Sequence, residues 1–91
     1  VAVGADGTIL TSRDGASWTE QTSGTTNHLY GVTYGSGTFV AVGADGTILT
    51  SRDGESWTEQ TSGTAKHLYG VTYGNGTFVV VGSCGTILTS P

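Results

Sequence analysis

Positively charged side chains are scarce in this sequence. The 91 residues include only three lysine and arginine residues against seven aspartate and glutamate residues, which gives a formal net charge of −4. A protein that binds nucleic acid needs a basic patch to neutralise the phosphates. The composition therefore argues against nucleic acid as a partner.

Cysteine, methionine and long apolar runs are also scarce. Cys84 is the single cysteine, so it has no partner within the chain for a disulfide or a multi-thiolate metal site, and we expect a free or intermolecular thiol. The chain has no methionine, even at position 1, and no recognisable signal or transit segment, so we expect a processed chain or a window of a longer one. No apolar run approaches the roughly 18 residues of a membrane span.

Glycine and threonine are abundant, with 16 and 17 residues, and they belong to a long internal repeat. Residues 1–39 and 40–78 are identical at 35 positions, and residues 79–91 begin a third copy. The two full copies differ at Ala16/Glu55, Thr26/Ala65, Asn27/Lys66 and Ser36/Asn75. The repeat, 39 residues long, is the strongest signal in the sequence.

Each repeat has the pattern of four short strands, rich in β-branched and aromatic residues and separated by glycine-containing turns. We predict strands at residues 1–4, 7–12, 17–23, 29–35, 38–43, 46–51, 56–62, 68–74, 77–82 and 85–90. Four antiparallel strands in about 40 residues are typical of a β-propeller blade, whereas leucine-rich solenoid coils have about 20–30 residues. We therefore predict an all-β fold, a single β-propeller segment over residues 1–91 with about two and a third repeats.

The heptapeptide SRDGASW at Ser12–Trp18 recurs as SRDGESW at Ser51–Trp57. It resembles the Asp-box of BNR-repeat propellers, and with VAVG, GTILTSRDG and SWTEQ it is similar to photosystem II assembly-factor-like propellers and to repeat arrays of bacterial surface proteins. The resemblance implies a propeller fold and an extracellular or cell-surface location. It implies a structural Asp-box at Ser12, Asp14, Gly15 and Trp18, and again at Ser51, Asp53, Gly54 and Trp57.

Local structure is the expected role of these turns. A short acidic side chain can accept hydrogen bonds from the backbone N–H groups of its own turn, and the glycine permits the bend. Acid–base catalysis needs two acids near one reacting bond, whereas Asp14 and Asp53 are a full repeat apart. Sialidase chemistry would need several arginines, and the only two lie inside these turns. We predict a chain that is not an enzyme, with no catalytic residues, no cofactor and no metal.

Two histidines and four tyrosines are the remaining candidates for ligand binding. Each histidine precedes a predicted strand, where we expect a loop side chain hydrogen-bonded to backbone, with a metal-binding or pH-sensitive site as the alternative. For the tyrosines we expect packing between blades, with stacking surfaces for sugars as the alternative. The candidates are His28, Tyr30, Tyr34, His67, Tyr69 and Tyr73.

Three interpretations of function remain open. The first is a non-catalytic scaffold, structural or protein-binding, that assembles into a larger ring. The second is a carbohydrate-binding, lectin-like propeller with one shallow site per blade interface. The third is a designed or amplified repeat protein with no function beyond folding, because the copies are nearly identical.

The strand count predicts incomplete blades at both ends. The ten strands group as three, four and three. An open arc leaves strand edges and blade faces exposed. We expect head-to-tail association with copies of the chain or with further blades of a longer chain, or terminal blades of only three strands.

Overall fold

The chain folds into ten β-strands and contains no α-helix. The computed structural model describes residues 1–91. The strands form three antiparallel sheets, which we call the first, second and third sheets in chain order. They are β1 (Ala2–Val3), β2 (Ile9–Thr11) and β3 (Thr19–Gln21) in the first; β4 (Leu29–Gly35), β5 (Thr38–Gly43), β6 (Ile48–Ser51) and β7 (Thr58–Gln60) in the second; and β8 (Leu68–Gly74), β9 (Thr77–Gly82) and β10 (Ile87–Ser90) in the third.

Within each sheet, every strand pairs only with its neighbours in the sequence. The second sheet has four strands, the first lacks a counterpart of β4, and the third lacks a counterpart of β7. The predictions of an all-β chain and of strands grouped as three, four and three are confirmed.

The predicted strand limits are correct for the long strands and too wide for the short ones. β4, β5, β8 and β9 have the predicted limits, whereas β2, β6 and β10 each begin two residues later than predicted. The reason is a tight turn before each of them. In the first repeat Gly7 has a φ of 75°, and the Thr8 N–H donates to the Ala5 carbonyl oxygen at 3.1 Å.

Two-residue turns join the long strands into hairpins. Ser36 and Gly37 connect β4 to β5 with φ angles of 50° and 73°, and Asn75 and Gly76 connect β8 to β9 with φ angles of 53° and 75°. Positive φ at both central residues is the geometry whose twist matches that of the flanking strands. These turns set the register that places Gly35 opposite Thr38.

The hydrophobic core consists of two layers, one on each face of the second sheet. The layer between the first and second sheets contains Ile9, Leu29, Ala41 and Leu49. The layer between the second and third sheets contains Val40, Val42, Leu68, Phe78 and Val80. Successive residues of β5 point to opposite faces, so this strand contributes to both layers. The second sheet is therefore apolar on both sides.

Leucines at equivalent repeat positions provide a test of this layered core. Leu49 is 1% exposed in the layer between the first and second sheets, whereas Leu10, one repeat earlier, is only partly buried. We expect Leu49→Ala to lower the free energy of unfolding by about 2–5 kcal/mol and Leu10→Ala to lower it by less. Urea denaturation followed by tryptophan fluorescence measures both changes, and equal losses would contradict the layered arrangement.

Candidate functional site

The turn at Ser12–Trp18 is held by hydrogen bonds within its own seven residues. One carboxylate oxygen of Asp14, Oδ1, accepts the backbone N–H of Ala16 at 2.9 Å and that of Ser17 at 3.1 Å. Ser12 Oγ donates to the same carboxylate oxygen at 3.0 Å and accepts the Gly15 N–H at 2.8 Å. The carboxylate and the hydroxyl are thus engaged by the turn itself.

The second copy of the turn repeats these contacts. Asp53 Oδ1 accepts the backbone N–H groups of Glu55 and Ser56 at 2.8 and 3.0 Å, and the Gly54 N–H donates to Ser51 Oγ at 2.8 Å. The indole N–H of Trp57 donates to the Gly54 carbonyl oxygen at 2.9 Å, as that of Trp18 does to Gly15 at 3.2 Å. The residues at both sites are therefore linked in one local network.

The hydrogen bonds shift the titration of both aspartates. The backbone N–H groups of Ala16 and then Ser17, followed by the Ser12 hydroxyl, lower the pKa of Asp14 below its ordinary value of 3.8. For Asp53, the backbone N–H groups of Ser56 and Glu55 lower the pKa in the same way. Hydrogen bonds donated to a carboxylate favour its charged form. Both groups are acceptors at neutral pH, and neither is poised to donate a proton.

The two turns line one polar crevice between the first and second sheets. Its volume is about 450 Å³, and Arg13, Asp14, Asp53 and Glu55 are among its lining residues. No group of three or more histidine, cysteine, aspartate or glutamate side chains in the chain is arranged to hold a metal ion. Cys84 is a free, exposed cysteine.

Each histidine links one sheet to the turn of the sheet before it. Nδ1 of His28 accepts the backbone N–H of Asp6 at 3.0 Å, and Nδ1 of His67 accepts that of Asp45 at 3.1 Å. Asp6 and Asp45, which donate these N–H groups, have φ angles of 59° and 57°.

Two of the candidate tyrosines lie together with these histidines at one end of the sheets. The rings of Tyr30 and Tyr69 are 5.2 Å apart between centroids and tilted by 47°. Tyr30 lies 6.3 Å from His28, and Tyr69 lies 6.1 Å from His67. The four rings form a continuous row, which we call the aromatic row.

The tyrosines were expected to pack between blades as part of the core, but Tyr30, Tyr34 and Tyr69 are exposed. A β-bulge between Leu29 and Gly31, and another between Leu68 and Gly70, interrupts the alternation at Tyr30 and Tyr69. Tyr34 lies outside the bulge and faces the first sheet, which has no counterpart of β4 to cover it. Tyr34 packs on Phe39 at 4.6 Å between ring centroids. Only Tyr73 is partly buried against the core, and its hydroxyl oxygen is 2.8 Å from Ser36 Oγ.

An apolar groove between the second and third sheets was not anticipated from the sequence. It has a volume of about 500 Å³ and is lined by 13 residues, of which five are apolar, among them Ile48, Val80 and Leu88. In the neighbouring layer, Trp57, which precedes the fourth strand β7, packs against the core, whereas the third sheet has no fourth strand. The grouping of the strands as three, four and three was the signal in the sequence that could have located this groove.

Comparison with protein-family models, with curated proteins and with solved structures finds no match for this chain. None of its elements is a helix with the length and apolar character needed to cross a membrane.

The lowered pKa values of the two aspartates predict how stability responds to acid. Because each folded-state pKa lies below the unfolded one, the charged carboxylates stabilise the fold above about pH 4, and this contribution is lost as the pH falls through the folded pKa. We expect the denaturation midpoint of the parent chain to fall steeply below about pH 4. The double variant Asp14→Asn/Asp53→Asn should be less stable at neutral pH and show a shallower fall.

Urea denaturation between pH 2 and pH 7 measures this difference. Asp6→Asn/Asp45→Asn is the matched control, because it removes the same number of charges from two positive-φ turns. An acid response of the Asp14/Asp53 variant that parallels the parent would contradict the role assigned to the turn carboxylates.

Proposed function

We propose that the chain is a non-catalytic β-propeller segment that serves as a structural or protein-interaction scaffold. It assembles into a larger ring with copies of itself or with further blades of a longer chain. Each of the three sheets is then one blade or part of one blade, and the SRDG turns are structural Asp-boxes. About four to eight blades are needed to close such a ring.

The observation that carries this proposal is the repetition of one packing arrangement. Ile9 of the first sheet packs in one layer with Leu49 of the second, and the equivalent pair, Ile48 and Leu88, belongs to the layer between the second and third sheets. The histidine contacts repeat with the same period. A unit that packs on the next unit in the same way each time can be extended into a ring or an arc.

The chemistry of the candidate residues supports a scaffold over an enzyme. The carboxylates of Asp14 and Asp53 accept backbone N–H groups of their own turns. Nδ1 of each histidine is occupied by a backbone N–H. The nucleophile, base and orienting group of a catalytic site would need mutual hydrogen bonds, and these groups are instead bonded to backbone.

Ring assembly is tested on the purified chain by light scattering and electron microscopy. We expect closed particles with a mass that is an integer multiple of 9.2 kDa. A monodisperse monomer that unfolds in one sharp transition at every concentration would contradict assembly from copies of this chain.

The aromatic row favours a second candidate, the binding of carbohydrate. Tyr30 and Tyr69 expose their rings side by side at the interface between two sheets. Exposed aromatic faces are stacking surfaces for sugars, and a site that recurs at each interface would give multivalent binding. The site would also occur once per blade interface in a larger ring.

A glycan array compares this second candidate with the scaffold. If the row binds sugars, Tyr69→Ala should remove selective glycan binding without lowering the melting temperature, because the side chain is exposed. Tyr34→Ala, an exposed tyrosine outside the row, is the control and should bind as the parent does. An array without selective binding would contradict the carbohydrate-binding candidate, and the scaffold would be the one remaining proposal.

A further inference from the structure

Two copies of one hairpin are present at opposite ends of the chain. The terminal hairpins, residues 1–12 and 79–90, differ only at Ala2/Val80, Ala5/Ser83 and Asp6/Cys84. Their tight turns also have the same geometry, with Asp6 at φ 59° and ψ 29° and Cys84 at φ 59° and ψ 32°. Each hairpin can therefore take the place of the other.

The environments of the two hairpins are very different. β2 pairs with the fourth-position strand β3, which places Ile9 opposite Gln21, whereas β10 pairs only with β9 and has a free edge. Ile9 is 0% exposed, and Ile87 at the same repeat position is 67% exposed. An exposed apolar strand next to a free edge is a site for pairing with another chain.

The apolar groove has the position that a fourth strand of the third sheet would cover. Within the second sheet, Trp57 precedes the fourth strand and packs into the layer formed with the first sheet. The equivalent Trp18 precedes β3 and is 46% exposed, because no sheet lies beyond the first one. The groove thus lacks a tryptophan, and Trp18 lacks an apolar partner.

We propose that the third sheet of one copy is completed by β3 of a second copy. Thr19–Gln21 of the second copy pairs with the free edge of β10, and its Trp18 enters the groove lined by Ile48, Val80 and Leu88. The β1–β2 hairpin of the second copy is released, since β9–β10 occupies its place. This inference rests on the proposed ring scaffold and specifies how its copies join.

The exchange replaces the strand-pairing contacts that it breaks with equivalent contacts. The β2–β3 pairing uses Ile9, Leu10 and Thr11, and β10 offers the same three residue types at residues 87–89. The first sheet has no inner strand, whereas the exchanged blade has β8 in that position. Burial of Ile87 offsets the exposure of Ile9 in the released hairpin. The gain beyond the replaced contacts is therefore the burial of Trp18 and the cover that β8 adds, and the released hairpin recovers chain entropy.

The contact is heterologous, because one end of each copy joins the opposite end of the next. Such contacts close into a ring when the rotation between copies fits. Every copy contributes the second sheet as one blade, and each junction completes another. The copies in a closed ring thus number half its blades.

Ile9 and Ile87 occupy equivalent repeat positions, and the exchange predicts that replacing each by glutamate has opposite effects on assembly. Ile87→Glu should leave the monomer folded, since Ile87 is exposed, and should raise the concentration for half-assembly at least about tenfold, since the charge would be buried at the junction. Ile9→Glu weakens only the hairpin that the exchange releases, so it should lower the concentration for half-assembly. Light scattering over a concentration series measures both shifts.

Trypsin gives a second readout on the unmodified assembly. Arg13 and Arg52 occupy equivalent turns, but only Arg13 adjoins the hairpin that exchange releases. We expect fast cleavage after Arg13 and loss of residues 1–13. The mass of the assembly should fall only by these residues, with the number of copies unchanged. Cleavage after Arg52, the matched control, should remain slow.

The possible results separate the exchange from the scaffold. If the parent assembles but Ile9→Glu and Ile87→Glu both weaken assembly, the copies dock with their hairpins in place; the exchange is then wrong and the scaffold stands. Equal cleavage rates at the two arginines would also overturn the exchange. If the parent and both variants stay monomeric, the exchange and assembly from copies are both wrong, and further blades of a longer chain are left as the occupant of the exposed faces.

Discussion

The structure depends on a sheet whose two faces are both apolar. Ala41 packs toward the first sheet while its neighbours Val40 and Val42 pack toward the third. A sheet of this kind is stable only when both faces are covered. Because all three sheets are built from the same repeat, the first and third sheets also need cover on both faces. The outer faces of the first and third sheets have the same composition as the faces of the second sheet, but no other sheet covers them.

Local hydrogen bonds determine the turns within each sheet, whereas packing between sheets determines how the sheets are positioned. The Gly15 N–H to Ser12 Oγ distance and its counterpart from Gly54 to Ser51 are both 2.8 Å, although the first turn is exposed and Gly54 is buried. The turn geometry is therefore independent of the neighbouring sheet. Each sheet is shaped by its own turns, while its position is set by the apolar layers and the histidine contacts.

The sequence predicted those features that short-range chemistry determines. The ten strands and the two-residue turns at Ser36–Gly37 and Asn75–Gly76 follow from strand propensity and from the need for positive φ. The exposure of Tyr30 and Tyr69 was not predictable, because a bulge in the pairing with the adjacent strand sets their direction. Turns were expected before β2, β6 and β10, but their extent was not, since each of these strands begins two residues later than predicted.

The differences between the repeats show why position, more than sequence, decides burial here. Three of the four differences between the full copies, Ala16/Glu55, Thr26/Ala65 and Ser36/Asn75, lie at exposed positions in loops and turns. The fourth, Asn27/Lys66, replaces a partly buried amide that donates to Thr47 Oγ1 at 2.9 Å. Apart from Asn27/Lys66 and the core pair Ala41/Val80, side-chain identity does not distinguish a neighbour in the same chain from one in another chain. Covalent connection favours pairing with a strand of the same chain, but only where the chain supplies such a strand. At the edge of β10, which has no strand paired to it, the exchange that we propose would bring an equivalent strand from another copy against the same surface.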